Sequence, residues 1–505
     1  MRQPTGLLPL VALVGMAALF ATYWDDAWHT DSGRDSAAIP PHLLLYGSVA
    51  VVGVGVVAWG VAALRATRSA GAVLRHRPLL LAGLGGTLML LSAPVDAAWH
   101  AAFGRDSVLW SPPHLLGVFG TLALVTGVLL GARPGHGADW ALSATGTLIL
   151  GATAVPVLEF ETDVPQFDEA LYLPALLAST LLAATVIRAA VPGPLPVLRA
   201  VVGYALVRLA IAAGLAALGR SRPDLPVAVL GAALAEVPLR APAARLAAGA
   251  AGVAATTWLA AATGLTNVPA RAVATTAVPV IVLFLLCLLA MTPQFRARGP
   301  AVLLVAIAAL LAVGWEKPAS AHDPGQGRGT FPVLLTATSD GRGTLTATVW
   351  AVTTSARTGA SNGPATGACP RLVPRQLVAR RAGKTVVGLL RGAGGGCAFS
   401  GRLQVAATGR WFVYTEFHDT LRGDVEAWVP LDARHAGAVT ERRELYLPSR
   451  GAADSGPTAR EFLAGAALYA LGLALLGFLL AHVHQVTRRP AAQLPPIGPR
   501  GHPRA

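Results

Sequence analysis

The sequence predicts an all-α polytopic membrane domain of about eleven helices plus a C-terminal membrane helix, with an extracytoplasmic all-β, sandwich-like domain inserted before that last helix. Three observations predict it. Hydrophobic residues make up 54% of the 505 and charged residues only 13%, which is not the balance of a soluble chain. Apolar stretches of the ~20 residues that a helical crossing needs recur from residue 7 to residue 316 and once more near 462–481. Between those regions, 317–460 changes to short alternating runs bounded by turn residues. Disorder, collagen and a soluble dinucleotide-binding enzyme are excluded on the same grounds. The 40 Lys and Arg against 26 Asp and Glu leave +14, read as basic loops and tail facing a lipid bilayer and not as a nucleic-acid surface.

Helices are expected at 7–23, 43–64, 78–95, 115–132, 141–158, 170–188, 200–218, 225–239, 246–263, 273–291, 300–315 and 462–481. The first is too long, and lacks a small-residue cleavage site, to read as a removable signal peptide; it is expected to stay as an anchor. The stretch 225–239 is short and contains Glu236 and Pro238, and without it the parity of every later crossing reverses. Segments 24–41 and 159–169 are acidic, whereas 65–77 carries Arg65, Arg68, Arg75 and Arg77 with no acid, and the tail is basic. The positive-inside rule then places both termini in the cytoplasm and 317–460 outside a cell membrane crossed many times. The chain divides into a membrane domain 1–316, whose hairpins 7–64 and 78–132 are duplicated, a β domain 317–460, a membrane helix 461–484 and a cytoplasmic tail 485–505.

In the β domain, 343–352, 401–408, 410–417 and 425–431 alternate as strands do. Cys369 and Cys397 both fall there, in an oxidising compartment, so a disulfide is expected between them. Cys287 lies in an expected membrane helix and reads as a packed apolar residue.

An internal repeat carries the chemistry. Residues 25–47 read DDAWHTDSGRDSAAIPPHLLLYG, and residues from 96 onward read DAAWHAAFGRDSVLWSPPHLLGVFG. So many shared polar residues point to duplication of a helical hairpin. Asp25 and His29, like Asp96 and His100, are four apart, which puts carboxylate and imidazole on one helix face. A Pro-Pro pair then opens the next helix with His42, or His114, in its first turn. Two imidazoles and a carboxylate from successive helices suit copper, zinc or iron and leave coordination positions open. The plainer reading is a hydrogen-bonded lattice locking the hairpins together, with Trp28 and Trp99 as interface-belt aromatics. Arg34, Asp35, Arg105 and Asp106 read as groups that orient the ligands or hold the turn. The third hairpin has no histidine; Glu159, Glu161 and Asp163 form either a solvated acidic loop or additional carboxylates for the metal.

The spacing Asp25-x3-His29-x12-His42 resembles the Asp/His/His metal site in the C subunit of the copper membrane monooxygenases, which oxidise methane, ammonia and short hydrocarbons. The resemblance implies that Asp25, His29 and His42 bind copper. The second copy has thirteen residues before His114, one more than that spacing, and the similarity covers about forty residues, twice. His322 follows an A-x-A-like triplet, and the B subunit of that family resembles this in exposing a histidine at the start of its β-rich domain. Cleavage after Ala321 would give an amine and imidazole able to chelate copper; an uncut linker is the plainer alternative. His418 and His435 are further donors, each plainly readable as a surface histidine.

Three functions follow from these readings. The chain is a copper oxidoreductase acting with O2 on a small apolar substrate, a copper acquisition protein without turnover, or a metal-free structural or assembly factor, alone or in a homo- or hetero-oligomer. With only 4 Met and 3 Cys, soft-ligand copper transport is disfavoured.

Overall fold

The computed structural model describes residues 3–32, 38–103, 109–132, 139–162, 164–165, 167–278, 280, 329–351, 371–394, 397–447 and 458–487, with only the backbone of Ser32, His100, Ala101, Gly329, Thr330 and Thr487. Arg34, Asp35, Arg105, Asp106, Asp163, Cys287, His322 and Cys369 lie outside the described residues, as do most of the expected helices 273–291 and 300–315 and nearly all of the tail.

Helices α1 (Leu7–Ser32) and α2 (Pro40–Thr67) make the first hairpin, and α3 (Ala70–Leu74) is a one-turn connector. Helices α4 (Arg77–Phe103) and α5 (Pro112–Gly131) make the second. Next come α6 (Asp139–Ala154), extended through a 3-10 turn into α7 (Leu158–Glu161), then α8 (Tyr172–Ala190) and α9 (Pro196–Ala217). The short α10 (Val227–Leu230), α11 (Pro242–Ala262) and the C-terminal α12 (Ala459–Thr487) complete the helices described in full. Prolines occupy the first turns of α2, α5, α9 and α11, where the missing N–H would have had no helical acceptor. Among the described residues eight helices are long and apolar enough to cross a bilayer, so the protein is a multi-pass membrane protein. Helices α5, α6 and α8 form the buried centre, while α2 and α9 present Val54, Val57 and Leu206 outward, each more than 60% exposed, as lipid-facing residues do. Hairpin α4–α5 is drawn together by missing side chains: a Cβ on Gly127 would come within 2.5 Å of Ala82 N.

Segment 225–239 departs from a full crossing. Its regular part is α10 followed by a 3-10 turn, Gly231–Glu236, about 18 Å long in all. It nonetheless joins the two ends of the bundle. Asp224 donates its N–H to Glu161 O at 2.7 Å, and its carbonyl accepts from Arg208 Nη2 at 2.6 Å. Beyond α10, the Glu236 carboxylate accepts from Arg188 Nη1 and Val197 N, at the opposite ends of α8 and α9. Helix α11 returns against this segment so closely that a Cβ on Gly231 would lie 2.1 Å from the Gly252 backbone.

The β region is a closed barrel, not the expected two-sheet sandwich. Its eight antiparallel strands are β1 (Gly329–Asp340), β2 (Thr344–Ala351), β3 (Leu372–Arg381), β4 (Lys384–Gly392), β5 (Ala398–Gln404), β6 (Arg410–Asp419), β7 (Gly423–Asp432) and β8 (Ala436–Tyr446), in the order β1-β2-β5-β4-β3-β6-β7-β8. The reason is the first strand. It pairs with β2 on one side and, from Gly329↔Tyr446 to Asp340↔Ala436, with β8 on the other, so no open edge is left to define two sheets. Alternate residues fill the interior, among them Val333, Leu335, Phe399, Trp411, Phe417 and Val429.

Strands β6 and β7 are buried on both faces, because their outer side rests on the helical bundle. Val164, in the loop before α8, packs with Val378, Phe412, Tyr414, Trp428 and Tyr446. Arg381 is 2% exposed and reaches Glu169 Oε1 at 2.7 Å, Asn267 O at 2.6 Å and Arg410 O at 2.7 Å. Asp31, at the end of α1, accepts from Ser221 N and Oγ at 2.7 and 2.6 Å. The barrel thus sits at the end of the bundle where α1 finishes and α2 begins.

Candidate metal centre

Helix α1 runs straight through Asp25 and His29, one turn apart. Ile39, in extended conformation, and the two prolines after it start α2 with His42 as its third residue. The chain therefore delivers three donors to one place. Asp25 Oδ1 lies 3.1 Å from His42 Nε2 and 3.7 Å from His29 Nε2, and one ligand atom from each residue falls within 4.8 Å of the others. Donors held about 2 Å from a shared transition-metal ion are ~3–4 Å apart, so this spacing fits one ion with little movement. Asp25 Oδ1 is sealed from solvent and makes no well-aligned hydrogen bond, and His29 Nδ1 is likewise buried without a hydrogen-bond partner among the described residues.

The second copy is built alike. Pro112 and Pro113 open α5, and Ser111 Oγ is 2.9 Å from His114 Nδ1. That leaves His114 Nε2 facing Asp96 Oδ1 at 3.4 Å. The repeat thus pairs Asp96 with His114; the His100 side chain lies outside the described residues.

Both copies open into one cavity of about 190 Å³. Asp25, Asp26, Asp96, His29, His42 and His114 line it, with no Lys or Arg among the described residues of its wall. The mouth thus gathers three carboxylates and three imidazoles. Deeper, the walls become apolar, with Val11, Val14, Val52, Met89, Leu124 and Leu148. The arrangement is a polar mouth of chelating groups over an apolar chamber between helices.

Of the third hairpin's acids, Glu159 and Glu161 are not solvated, being 5% and 2% exposed. Glu159 Oε1 accepts the N–H of Leu109, a cavity-wall residue. Glu161 is held by Arg208 Nη1 at 2.7 Å and Tyr172 OH at 2.9 Å. The tryptophans also depart from a membrane belt: Trp99 is buried beside Phe103, and Trp28 stacks under the Arg220 guanidinium at 4.4 Å. In the barrel, His418 and His435 are exposed beside Asp424 and Asp432.

Sequence reasoning missed Asp26 and Tyr46 as cavity residues and Arg208 as the partner of Glu161. Arg208 had a signal, an arginine in the middle of an apolar helix that had to find an acid. No family of known proteins, no curated protein and no solved structure matches the chain. What fold and site define together is a class: a multi-pass membrane protein with a barrel docked at the end that carries a carboxylate–imidazole cluster.

Proposed function

We propose that this chain binds copper through Asp25, His29 and His42, resembles the C subunit of the copper membrane monooxygenases in doing so, and oxidises a small apolar molecule with O2. One observation carries the reading: the chelating set and an apolar chamber belong to the same cavity. A bound copper ion would supply O2 activation. The chain's own residues do the rest. Asp25 and the two imidazoles hold the ion, Tyr46 packs beside His42 with ring centroids 5.5 Å apart, and the aliphatic walls admit an apolar substrate while excluding water. Insertion of one oxygen atom into a C–H or N–H bond consumes O2, two electrons and two protons and releases water; the electrons come from a membrane hydroquinol. Asp96, His100 and His114 are proposed as a second set of the same kind.

A carrier reading is second, because the repeated mouth sites also suit copper acquisition. Exchange of Cu(I) favours Met and Cys, and among the described residues Met89 is the only sulfur side chain lining the cavity. The cluster and barrel are proposed to face the extracytoplasmic side, with Cys397 bonded to Cys369 in that compartment and both termini in the cytoplasm.

Metal analysis and oxygen uptake on detergent-purified protein test the proposal, with short alkanes or ammonia and a hydroquinol supplied. Bound copper, substrate-dependent uptake, and loss of uptake together with about one copper equivalent in His29→Ala support it. Copper without uptake leaves the carrier, and absence of any bound metal after copper loading removes both.

A further inference from the structure

We propose that the end of the bundle opposite the barrel carries a binding site for anionic lipid headgroups, built by Arg65, Arg68, Arg75 and Arg77 around α3. Trp59, two turns before the end of α2, packs on Gly131, the last residue of α5. Arg65 and Arg68 therefore lie about 9 Å or more beyond the ends of the neighbouring helices, at headgroup and not hydrocarbon depth. Arg68 closes α2 in the left-handed conformation, φ 49°, turning the chain sideways. Ser69 Oγ caps α3 by accepting from Ala72 N, and Arg77 begins α4. All four arginines are exposed.

Three other arginines at this end are already engaged. Arg188 pairs with Glu236, Arg199 donates to Pro192 O and Arg245 to Leu239 O. The four around α3 form no ion pair among the described residues, and no acid occurs between Asp35 and Asp96 to supply one. Leu64 and Leu74 stand beside them, 45% and 62% exposed. Cations flanking exposed leucines next to two membrane helices match a phosphate headgroup with its acyl chains better than a free anion, which would leave the leucines in water.

The test uses the full chain in phosphatidylcholine detergent micelles titrated with phosphatidylglycerol, further phosphatidylcholine or inorganic phosphate, reading the thermal midpoint. Phosphatidylglycerol alone should raise it. In the R65Q/R68Q/R75Q/R77Q variant the apparent affinity should fall about fivefold per arginine, several hundredfold in all. A control pair on the barrel, Arg391→Gln with Arg402→Gln, should behave as wild type. If the quadruple variant does not fold, R65Q/R77Q repeats the comparison. An equal response to both lipids, the same rise with phosphate alone, or an unchanged affinity in the variants would overturn the proposal. None of these outcomes depends on bound metal.

Discussion

Arg381 is the most exacting point in the joint between barrel and bundle. Its guanidinium is sealed from solvent and donates to one carboxylate and two carbonyls, and its removal leaves Glu169 as a buried anion that, among the described residues, only Lys384, 3.9 Å away, offsets. Breaking one side of a buried pair costs ~3–5 kcal/mol, and charge-assisted hydrogen bonds of ~1.5–3 kcal/mol each give a similar figure. Arg381→Met is therefore expected to lose about 3–5 kcal/mol, while the double variant with Glu169→Gln loses less than the two singles added together. Denaturant unfolding of the detergent-solubilised protein would measure this, followed by tryptophan emission, since Trp428 lies in the joint. Salt near ~1 M should change the result little, because a buried pair is poorly screened. A loss under about 1 kcal/mol, or strict additivity, would show that the barrel is not held through this residue.

Other outcomes follow from the same structure. Burial pushes the Asp224 carboxyl up to about 7, helped by the nearby Glu161 charge against the N–H of Asn267. Because the folded state keeps that proton to a higher pH than the unfolded chain, its contribution is full below ~4 and is lost as pH rises through about 7, by at most ~1.4 kcal/mol per pH unit. Asp224→Asn should flatten stability against pH in that window, and an unchanged slope would discount the group. Asp432 behaves oppositely: although burial opposes it, hydrogen bonds from Arg434 hold its carboxyl down to about 2, so its support is present above ~4 and fades as pH falls through about 2. Gly231→Ala must push apart a pair of backbones now in contact and is expected to cost ~1–3 kcal/mol in a thermal melt, with a neutral result contradicting the close approach. Non-reducing peptide mapping should recover Cys369 linked to Cys397; separate alkylated peptides would refute that pairing.

The site was largely legible because its determinants are local. Asp25 and His29 are one turn apart on a single helix, and Pro40–Pro41 fixes where the next helix begins, so the convergence of His42 needed only a short loop. That both copies share one cavity was not legible, since it depends on how the two hairpins lean together; Gly85, Gly117 and Gly120 set only the closeness of α4 and α5 within the second hairpin. In the barrel the strands could be read from alternation, but closure rests on β1 pairing with β8 about a hundred residues later, which no local pattern reveals. Glu161 looked like a loop acid because its partner, Arg208, comes from a distant helix.

Electron paramagnetic resonance of copper(II)-loaded protein tests the central claim most directly. With one copper equivalent loaded into an Asp96→Ala/His114→Ala background, the expected spectrum carries coupling from two imidazole nitrogens, those of His29 and His42, reduced by one in each further single histidine-to-alanine variant and abolished as a defined signal when Asp25→Ala is added. A spectrum of aqueous copper, or nitrogen coupling unchanged in all three variants, would contradict it.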